Sequence, residues 1–162
     1  MHHNRGFTLI ELLVTVAILA ILLGLAVPSF RSLIENNRTQ TAANNLTGAL
    51  QFARSEAIKR GVATQICRRN GNACANATTW GDGWLVKISG GDVLQVWDAT
   101  ANGTTVTGPA ETLTFRPNGL LANALDDNEE FVVSITDCSN QPQYTIALSA
   151  TGRVSSSKGN CE

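Results

Sequence analysis

A long apolar run near the N-terminus is the feature that most constrains how this chain folds. From Phe7 to Val27 the only charged residue is Glu11. An α-helix needs about 20 consecutive apolar residues to cross a bilayer core, and a chain of 162 residues rarely buries a helix that is apolar on every side. The run therefore predicts a membrane-inserted helix, and Arg5 in front of it predicts a cytoplasmic N-terminus.

Two features separate this run from a removable secretory signal. It is longer than the apolar region of a signal peptide, and no Ala-x-Ala cleavage site follows it. It also contains Glu11, and a carboxylate inside a bilayer costs about 2.5–3.5 kcal/mol on insertion scales. We interpret Glu11 as a functional residue. The alternative is that its side chain reaches the membrane interface, one helical turn away.

The residues around Glu11 resemble the class III signal of type IV prepilins and pseudopilins, in the run Gly6-Phe7-Thr8-Leu9-Ile10-Glu11. The short leader Met1–Gly6 and Pro28 match the same families. The resemblance implies that a prepilin peptidase cleaves between Gly6 and Phe7 and that it N-methylates Phe7. In the filament, the Glu11 carboxylate would pair with the N-terminal amine of a neighbouring subunit, which neutralises two charges and sets the register.

The leader contains both histidines of the chain, His2 and His3, so the processed chain has none. This excludes Ser-His-Asp and Cys-His catalysis and every histidine-based metal site. We therefore predict that the protein is not an enzyme and that it has no cofactor and no metal site. An acidic cluster could suggest calcium, but it lacks the EF-hand pattern and is interpreted as a solvated loop: Asp126, Asp127, Glu129 and Glu130.

The remainder of the chain predicts an α+β fold. Beyond Pro28, apolar residues recur at three- and four-residue spacing up to Ile58, and Gly61 suits the position after a helix end. Short β-prone runs follow, separated by turn residues: Val62–Arg69, Leu85–Ile88, Val93–Trp97, Thr104–Thr107, Thr112–Arg116, Glu129–Thr136, Tyr144–Ser149 and Gly152–Ser155. We predict one long helix packed on small antiparallel β-sheets, with the three tryptophans in core and loop packing.

Three segments follow from this pattern and from the resemblance. Residues 1–6 are the leader peptide, residues 7–28 are the transmembrane and filament-core helix, and residues 29–162 are the periplasmic or extracellular globular domain. Within that domain, residues 29–60 continue the helix and the sheets follow. The transmembrane half of the helix needs lipid or other helices around it, whereas the second half needs a sheet.

Several inner motifs resemble the FimT/FimU and pseudopilin H group of minor pilins. They are the helix end Ala53–Gly61, the strand with Cys67, Gly81-x-Gly83-Trp84, and Gly152-Arg153-Val154 near the C-terminus. The resemblance implies the pilin fold, a long N-terminal helix capped by two small antiparallel sheets. Paired cysteines and Pro28 favour the pilus branch of this group over the secretion branch.

Four cysteines in an exported domain are expected to be oxidised. Three pairings are possible. We choose Cys67–Cys74 and Cys138–Cys161, because each bond joins a strand to its adjoining loop or tail. Zinc binding is the alternative, but the spacing of these cysteines is poor for a zinc site.

DNA binding is the main alternative function. Some FimT proteins of competent bacteria resemble DNA receptors whose C-terminal Gly-Arg-x-Arg binds the backbone, and this chain has part of that motif. Here Gly152 and Arg153 are followed by Val-Ser, so the second arginine is missing. Lys158 lies nearby, and Arg68 and Arg69 form a separate basic pair. Phosphate binding needs several cations acting together, and the net charge is only -1.

The sequence as a whole predicts a minor type IV pilin that joins the pilus initiation or tip complex after processing. Its expected partners are prepilin peptidase, the inner membrane and other pilins, which it contacts through their N-terminal helices. Before assembly it is expected to be a single-pass inner-membrane protein, and afterwards part of a cell-surface pilus. Two alternatives stay open: a DNA-binding minor pilin for natural transformation, and a type II secretion pseudopilin H.

Overall fold

The computed structural model of the chain describes residues 7–75, 78–123 and 130–161. Its longest element is α1, Leu9–Arg60. The chain divides into two compact units, Met1–Ile34 and Glu35–Glu162. The leader and most of the acidic cluster lie outside the described residues.

The first unit contains the apolar part of α1. Its most apolar window has a mean hydropathy of 2.8, and none of that window is buried against the rest of the chain. By length and composition α1 is therefore able to cross a membrane. As expected for residues 29–60, α1 continues as helix beyond Pro28. A proline costs a helix one backbone hydrogen bond and does not oblige the helix to end.

In the second unit, α1 buries one stripe of small and branched side chains: Ala42, Ala43, Leu46, Ala49, Leu50, Ala53 and Ala57. These positions follow the three- and four-residue spacing that the sequence predicted. The helix ends where expected, because Gly61 adopts a φ of +67° and its N–H donates to Ala57 O over 3.0 Å. Glycine tolerates this left-handed conformation, which closes the helix.

The described residues form nine strands in two antiparallel sheets: β1 Thr64–Asn70, β2 Ala73–Cys74, β3 Trp84–Ile88, β4 Val93–Trp97, β5 Thr104–Thr107, β6 Leu113–Phe115, β7 Phe131–Ile135, β8 Pro142–Leu148 and β9 Val154–Asn160. The first sheet has the order β2-β1-β3-β4, and β6 also pairs with β1. The second sheet has the order β5-β7-β8-β9. The α1 stripe and side chains of both sheets belong to one hydrophobic core.

Two details of the sheets differ from the sequence prediction. Strand β2 lies between two of the predicted strands, where a loop was expected, and a short 3-10 turn at Trp80–Asp82 leads into β3. Strand β9 extends to Asn160, whereas the predicted strand ended at Ser155. Its Ser-Ser-Ser-Lys-Gly-Asn sequence has no apolar alternation. Residue pairing with β8 along its whole length accounts for the strand instead.

Both disulfides have the pairing that was chosen from the sequence. Cys67–Cys74 spans a Cα–Cα distance of 5.5 Å and Cys138–Cys161 spans 5.8 Å. In the chain-entropy model such loops contribute about 2.5 and 3.4 kcal/mol to stability. The second bond attaches the C-terminal end of β9 to the loop before β8.

The tryptophans pack as the sequence predicted. Trp80 and Trp84 are buried, and Trp97 is half-buried against Phe52. The Trp80 and Phe131 rings pack edge to face with their centroids 4.8 Å apart, and the Trp80 Nε1–H donates to Pro109 O over 2.9 Å. These rings therefore fill the core and are not exposed for stacking on a ligand.

Replacing Gly108 with alanine should destabilise the protein. A Cβ at this position would lie 2.3 Å from Cδ1 of Phe131, which is completely buried. Overpacking of this kind costs about 1–3 kcal/mol. The matched control is Gly48→Ala, because nothing lies within 4 Å of a Cβ there and alanine gains about 1 kcal/mol in a helix. In denaturant unfolding of the detergent-solubilised chain, the midpoint should fall for Gly108→Ala and rise for Gly48→Ala. Movement of both midpoints in the same direction would contradict this packing.

Asp82 should make the stability of the domain sensitive to acid. Its Oδ2 accepts hydrogen bonds from the backbone N–H of Thr79 at 2.7 Å and from Thr79 Oγ1 at 2.9 Å. These bonds, the backbone one first, hold the pKa of Asp82 below its ordinary value of 3.8. Because the folded pKa is depressed, the stabilisation is complete above the unfolded pKa and is lost as the pH falls through the folded one.

Acidification below about pH 4 should therefore lower the melting temperature of Asp82→Asn less than that of the wild type, as thermal unfolding would measure. Thr79→Ala removes only the hydroxyl donor, so its melting temperature should depend on pH to an intermediate degree. If the melting temperatures of the wild type and Asp82→Asn fell equally with pH, the hydrogen bonds from Thr79 to Asp82 would not contribute.

Candidate assembly site

Glu11 lies in a capping box at the start of α1. Its Oε2 accepts hydrogen bonds from the Thr8 backbone N–H at 3.0 Å and from Thr8 Oγ1 at 2.8 Å. In return, the Glu11 backbone N–H donates to Thr8 Oγ1 over 3.3 Å. Thr8 is the residue before the helix and Glu11 is its third residue, so the pair satisfies N–H groups that the first turn leaves open. The carboxylate also lies at the positive end of the helix dipole.

Sequence reasoning missed this local role of Glu11. The signal was present, because Thr8-x-x-Glu11 in front of an apolar run has the Ser/Thr-x-x-Glu spacing of a capping box. The expected partner for the carboxylate was the amine of a neighbouring subunit. The structure instead gives the carboxylate a partner in its own chain, so Glu11 is not stranded before assembly.

The other carboxylate oxygen is available for a second partner. Within the described residues the hydrogen bonds to the Glu11 side chain end on Oε2, and Oε1 accepts none. A shallow groove surrounds it, lined by Phe7, Ile10, Val14 and Thr15. Phe7 is 80% exposed, and among the described residues Glu11 is the only charged side chain that lines this groove. A cation that approaches Oε1 would therefore meet one carboxylate in an apolar setting.

The Gly152-Arg153 motif is built into the second unit by Arg54. The Arg54 Nε donates to Gly119 O and its Nη2 donates to Thr151 O, each over 3.1 Å. Gly152 has a φ of +73°, and a Cβ built on it would lie 2.1 Å from Gly119 O. Any other residue would collide there, so packing of these two turns on α1 is sufficient to require glycine.

Arg153 itself lines a groove on the surface of the same unit. Its backbone N–H donates to Ser149 Oγ over 3.2 Å, and the groove also includes Ile58 and Val154. Lys158 is exposed on β9, opposite Tyr144 of β8. These two cations of the DNA-binding prediction therefore belong to the second sheet and to the turn that precedes its last strand.

The other two cations of that prediction are engaged within the chain. Arg68 on β1 donates through Nη1 to Thr78 O over 3.1 Å, and through Nη2 to Ala110 O. Arg69 forms a 3.0 Å ion pair with Asp98. Arg68 and Arg69 belong to the first sheet, so the four predicted cations are divided between two sheets. A guanidinium that already caps carbonyls or a carboxylate has fewer donors left for phosphate.

Charge pairing near the end of α1 is also internal. Glu56 is almost completely buried and pairs with Lys59 and Arg60. The hydrogen bond from Arg60, followed by the charges of Arg60 and Lys59, lowers the pKa of Glu56 despite its burial.

Among the residues that the structure describes, no group of three or more His, Cys, Asp or Glu side chains is placed to hold a metal ion. Three members of the acidic cluster lie outside those residues.

Comparison with known proteins identifies two sequence families. Residues 42–152 match the family described as type II transport protein GspH, and residues 1–27 match the prokaryotic N-terminal methylation motif. The first match covers well over half of the chain. None of the curated proteins matches the chain significantly in sequence.

Two solved structures resemble the fold, both of the type IV minor pilin FimU from Pseudomonas aeruginosa strain PAO1. The P21 crystal form is 26% identical, with a TM-score of 0.60, and the match covers 75% of this chain and 89% of FimU. The P65 form is 25% identical, with a TM-score of 0.58, and covers 73% and 91%. The chain therefore belongs to the GspH family, and it is a minor pilin or pseudopilin of the FimT/FimU/GspH kind with the α+β pilin fold.

Proposed function

We propose that this chain is a minor type IV pilin that joins the pilus initiation or tip complex after prepilin peptidase removes residues 1–6. The observation that carries the proposal is Glu11, a single carboxylate at the start of an exposed apolar helix, with one oxygen capped and one open. The match to the N-terminal methylation motif supports cleavage after Gly6 and methylation of Phe7. The likeness to FimU supports the pilus branch over type II secretion.

In this proposal the protein acts by association and not by catalysis. Cleavage gives Phe7 a free amine, and the amine of a neighbouring subunit approaches Glu11 Oε1. Inside a packed bundle of apolar helices an unpaired carboxylate is costly, whereas a paired one is much less so. A neighbour that is shifted along the helix loses this pair, so the carboxylate selects the axial register between subunits.

The location of the protein follows from the same helix. Before assembly, α1 holds the subunit in the inner membrane with its N-terminus in the cytoplasm and its second unit outside. After assembly, the apolar surface of α1 is covered by the helices of other pilins in place of lipid. Each environment hides the apolar side chains that are exposed in the isolated chain.

Two substitutions of Glu11 separate its charge from its capping role. Glu11→Gln removes the charge, but a glutamine at this position can still complete a capping box. Glu11→Ala removes both. We expect both variants to insert into the membrane and lose the leader, and both to be missing from sheared pili. Immunoblots of the membrane and sheared fractions, with mass spectrometry of the N-terminus, measure this.

Thr8→Val is the matched control, because it removes the capping hydroxyl and keeps the carboxylate. It should retain incorporation. Normal incorporation of Glu11→Gln would contradict the proposed charge pair. An assembled subunit that still carries residues 1–6 would contradict processing.

DNA binding is the second function to be tested, and a gel shift decides it. With Arg68 and Arg69 engaged inside the chain, we expect no shift of duplex DNA at micromolar protein and physiological salt. Arg68→Ala should instead lower the thermal stability, because it leaves Thr78 O and Ala110 O without their donor. A shift in the wild type that Arg153→Ala and Lys158→Ala abolish would favour a role in DNA uptake. A gene neighbourhood of secretion components would instead favour the type II pseudopilin.

A further inference from the structure

Three Asn-Gly pairs occur in the chain, at Asn70, Asn102 and Asn118. In such a pair the glycine nitrogen can attack the side-chain carbonyl carbon of asparagine, because glycine has no Cβ to obstruct the approach. A new C–N bond forms, the Cγ–Nδ2 bond breaks, and ammonia leaves with the proton from the glycine nitrogen. Water then opens the resulting succinimide to aspartate or isoaspartate. The fold decides which of the three pairs reacts first.

We propose that Asn102 is the site of this modification. It lies in the exposed turn between β4 and β5, which the Thr104 N–H closes on Ala101 O over 3.0 Å. A Cβ built on Gly103 would meet nothing within 4 Å, so the turn has room for a ring. In the described parts of the chain the Gly103 N–H donates no hydrogen bond, and the Asn102 side chain makes none.

Arg38 favours the reactive form of this peptide unit. Its Nη1 donates to Asn102 O over 3.4 Å. That carbonyl and the Gly103 N–H belong to the same peptide group, and the nucleophile is this group after it loses its proton. A nearby positive charge that hydrogen-bonds an anion favours the anion. The Arg38 guanidinium therefore increases the fraction of deprotonated Gly103 nitrogen.

The pair at Asn118 is protected by its turn. Gly119 is buried, and its N–H donates to Arg116 O over 2.8 Å. The Asn118 side chain is also held, because its Oδ1 accepts the Leu120 N–H over 3.2 Å. Attack at Asn118 requires the hydrogen bond from the Gly119 N–H to Arg116 O to break. The need to break a typical hydrogen bond slows such a step roughly two- to tenfold.

The pair at Asn70 should also react more slowly than Asn102. Asn70 is the last residue of β1 and lies opposite Ala73 in the β1–β2 hairpin. The Cys67–Cys74 disulfide closes the same hairpin. Ring closure needs Asn70 to leave its strand conformation, which the pairing and the disulfide oppose. Asn70 is exposed, so its protection comes from the backbone alone.

Conversion of Asn102 changes the charge of its surroundings. The product carries a carboxylate at residue 102, in the turn whose backbone carbonyl accepts the hydrogen bond from Arg38 of α1. The groove around Asn102 already includes Asp82, and it would then hold two acidic residues. Each converted molecule carries one more negative charge, which isoelectric focusing separates from the original.

A time course of the full-length protein in detergent, in a mildly alkaline buffer at body temperature, tests the proposal. Combined cleavage after Lys87 and after Glu111 places the three pairs on different peptides, and mass spectrometry follows each amide. We expect Asn102 to convert roughly two- to tenfold faster than Asn118. Arg38→Gln should slow Asn102 alone, and Arg38→Lys should retain most of the rate. In denaturant with reduced disulfides the three rates should converge.

Three outcomes would overturn the proposal. Equal rates at Asn102 and Asn118 in the folded protein would show that the fold does not select the site. An unchanged Asn102 rate in folded Arg38→Gln, as checked by circular dichroism, would remove the arginine from the mechanism. Rates that stay unequal after unfolding would assign the difference to the local sequence and not to the structure.

Discussion

The packing of the α1 stripe against both sheets is the interaction on which the rest of the globular unit depends. Most of the buried helix positions are alanines, and Leu46 and Leu50 are the large side chains among them. Fully burying a leucine contributes about 1.5–3 kcal/mol, and alanines let the backbone of the helix come close to the strands. Thr64 uses that closeness, because its buried Oγ1 donates to Ala53 O over 2.6 Å. The helix therefore fixes the position of β1, with which β2, β3 and β6 pair.

The second sheet is joined to the helix by polar contacts as well as by the core. Arg54 leaves the exposed side of α1 and caps Gly119 O and Thr151 O, so that one side chain holds two turns. Charge-assisted bonds of this kind are stronger than neutral ones. Gly152 fits between these turns only because it has no side chain. A Gly-Arg sequence near the C-terminus is thus explained by packing, and its presence alone is weak evidence for a phosphate site.

The sequence predicted the architecture well because its strongest signals are local and repeated. The apolar run, the helical spacing that ends at Gly61 and the four cysteines each depend on nearby residues, and each was predicted correctly. Only the start of strand β9 was predicted, since Ser155–Asn160 has no strand pattern of its own and is ordered by pairing with β8. Which arginines are engaged is also set by contacts between distant residues. Arg68 donates to Ala110 O, which is 42 residues away in the chain, and the spacing of residues in the sequence does not reveal such a hydrogen bond.

In the proposed assembly, the Glu11 carboxylate meets two requirements at different times. Before assembly, the first turn of α1 has open N–H groups close to an apolar environment, where an unsatisfied donor is costly. Thr8 and Glu11 satisfy each other there, and they use only one of the carboxylate oxygens. The second oxygen keeps its capacity to accept a bond while the helix start is already formed. A neighbouring amine then adds a partner and displaces none, so the proposed docking step does not require the helix to be rebuilt.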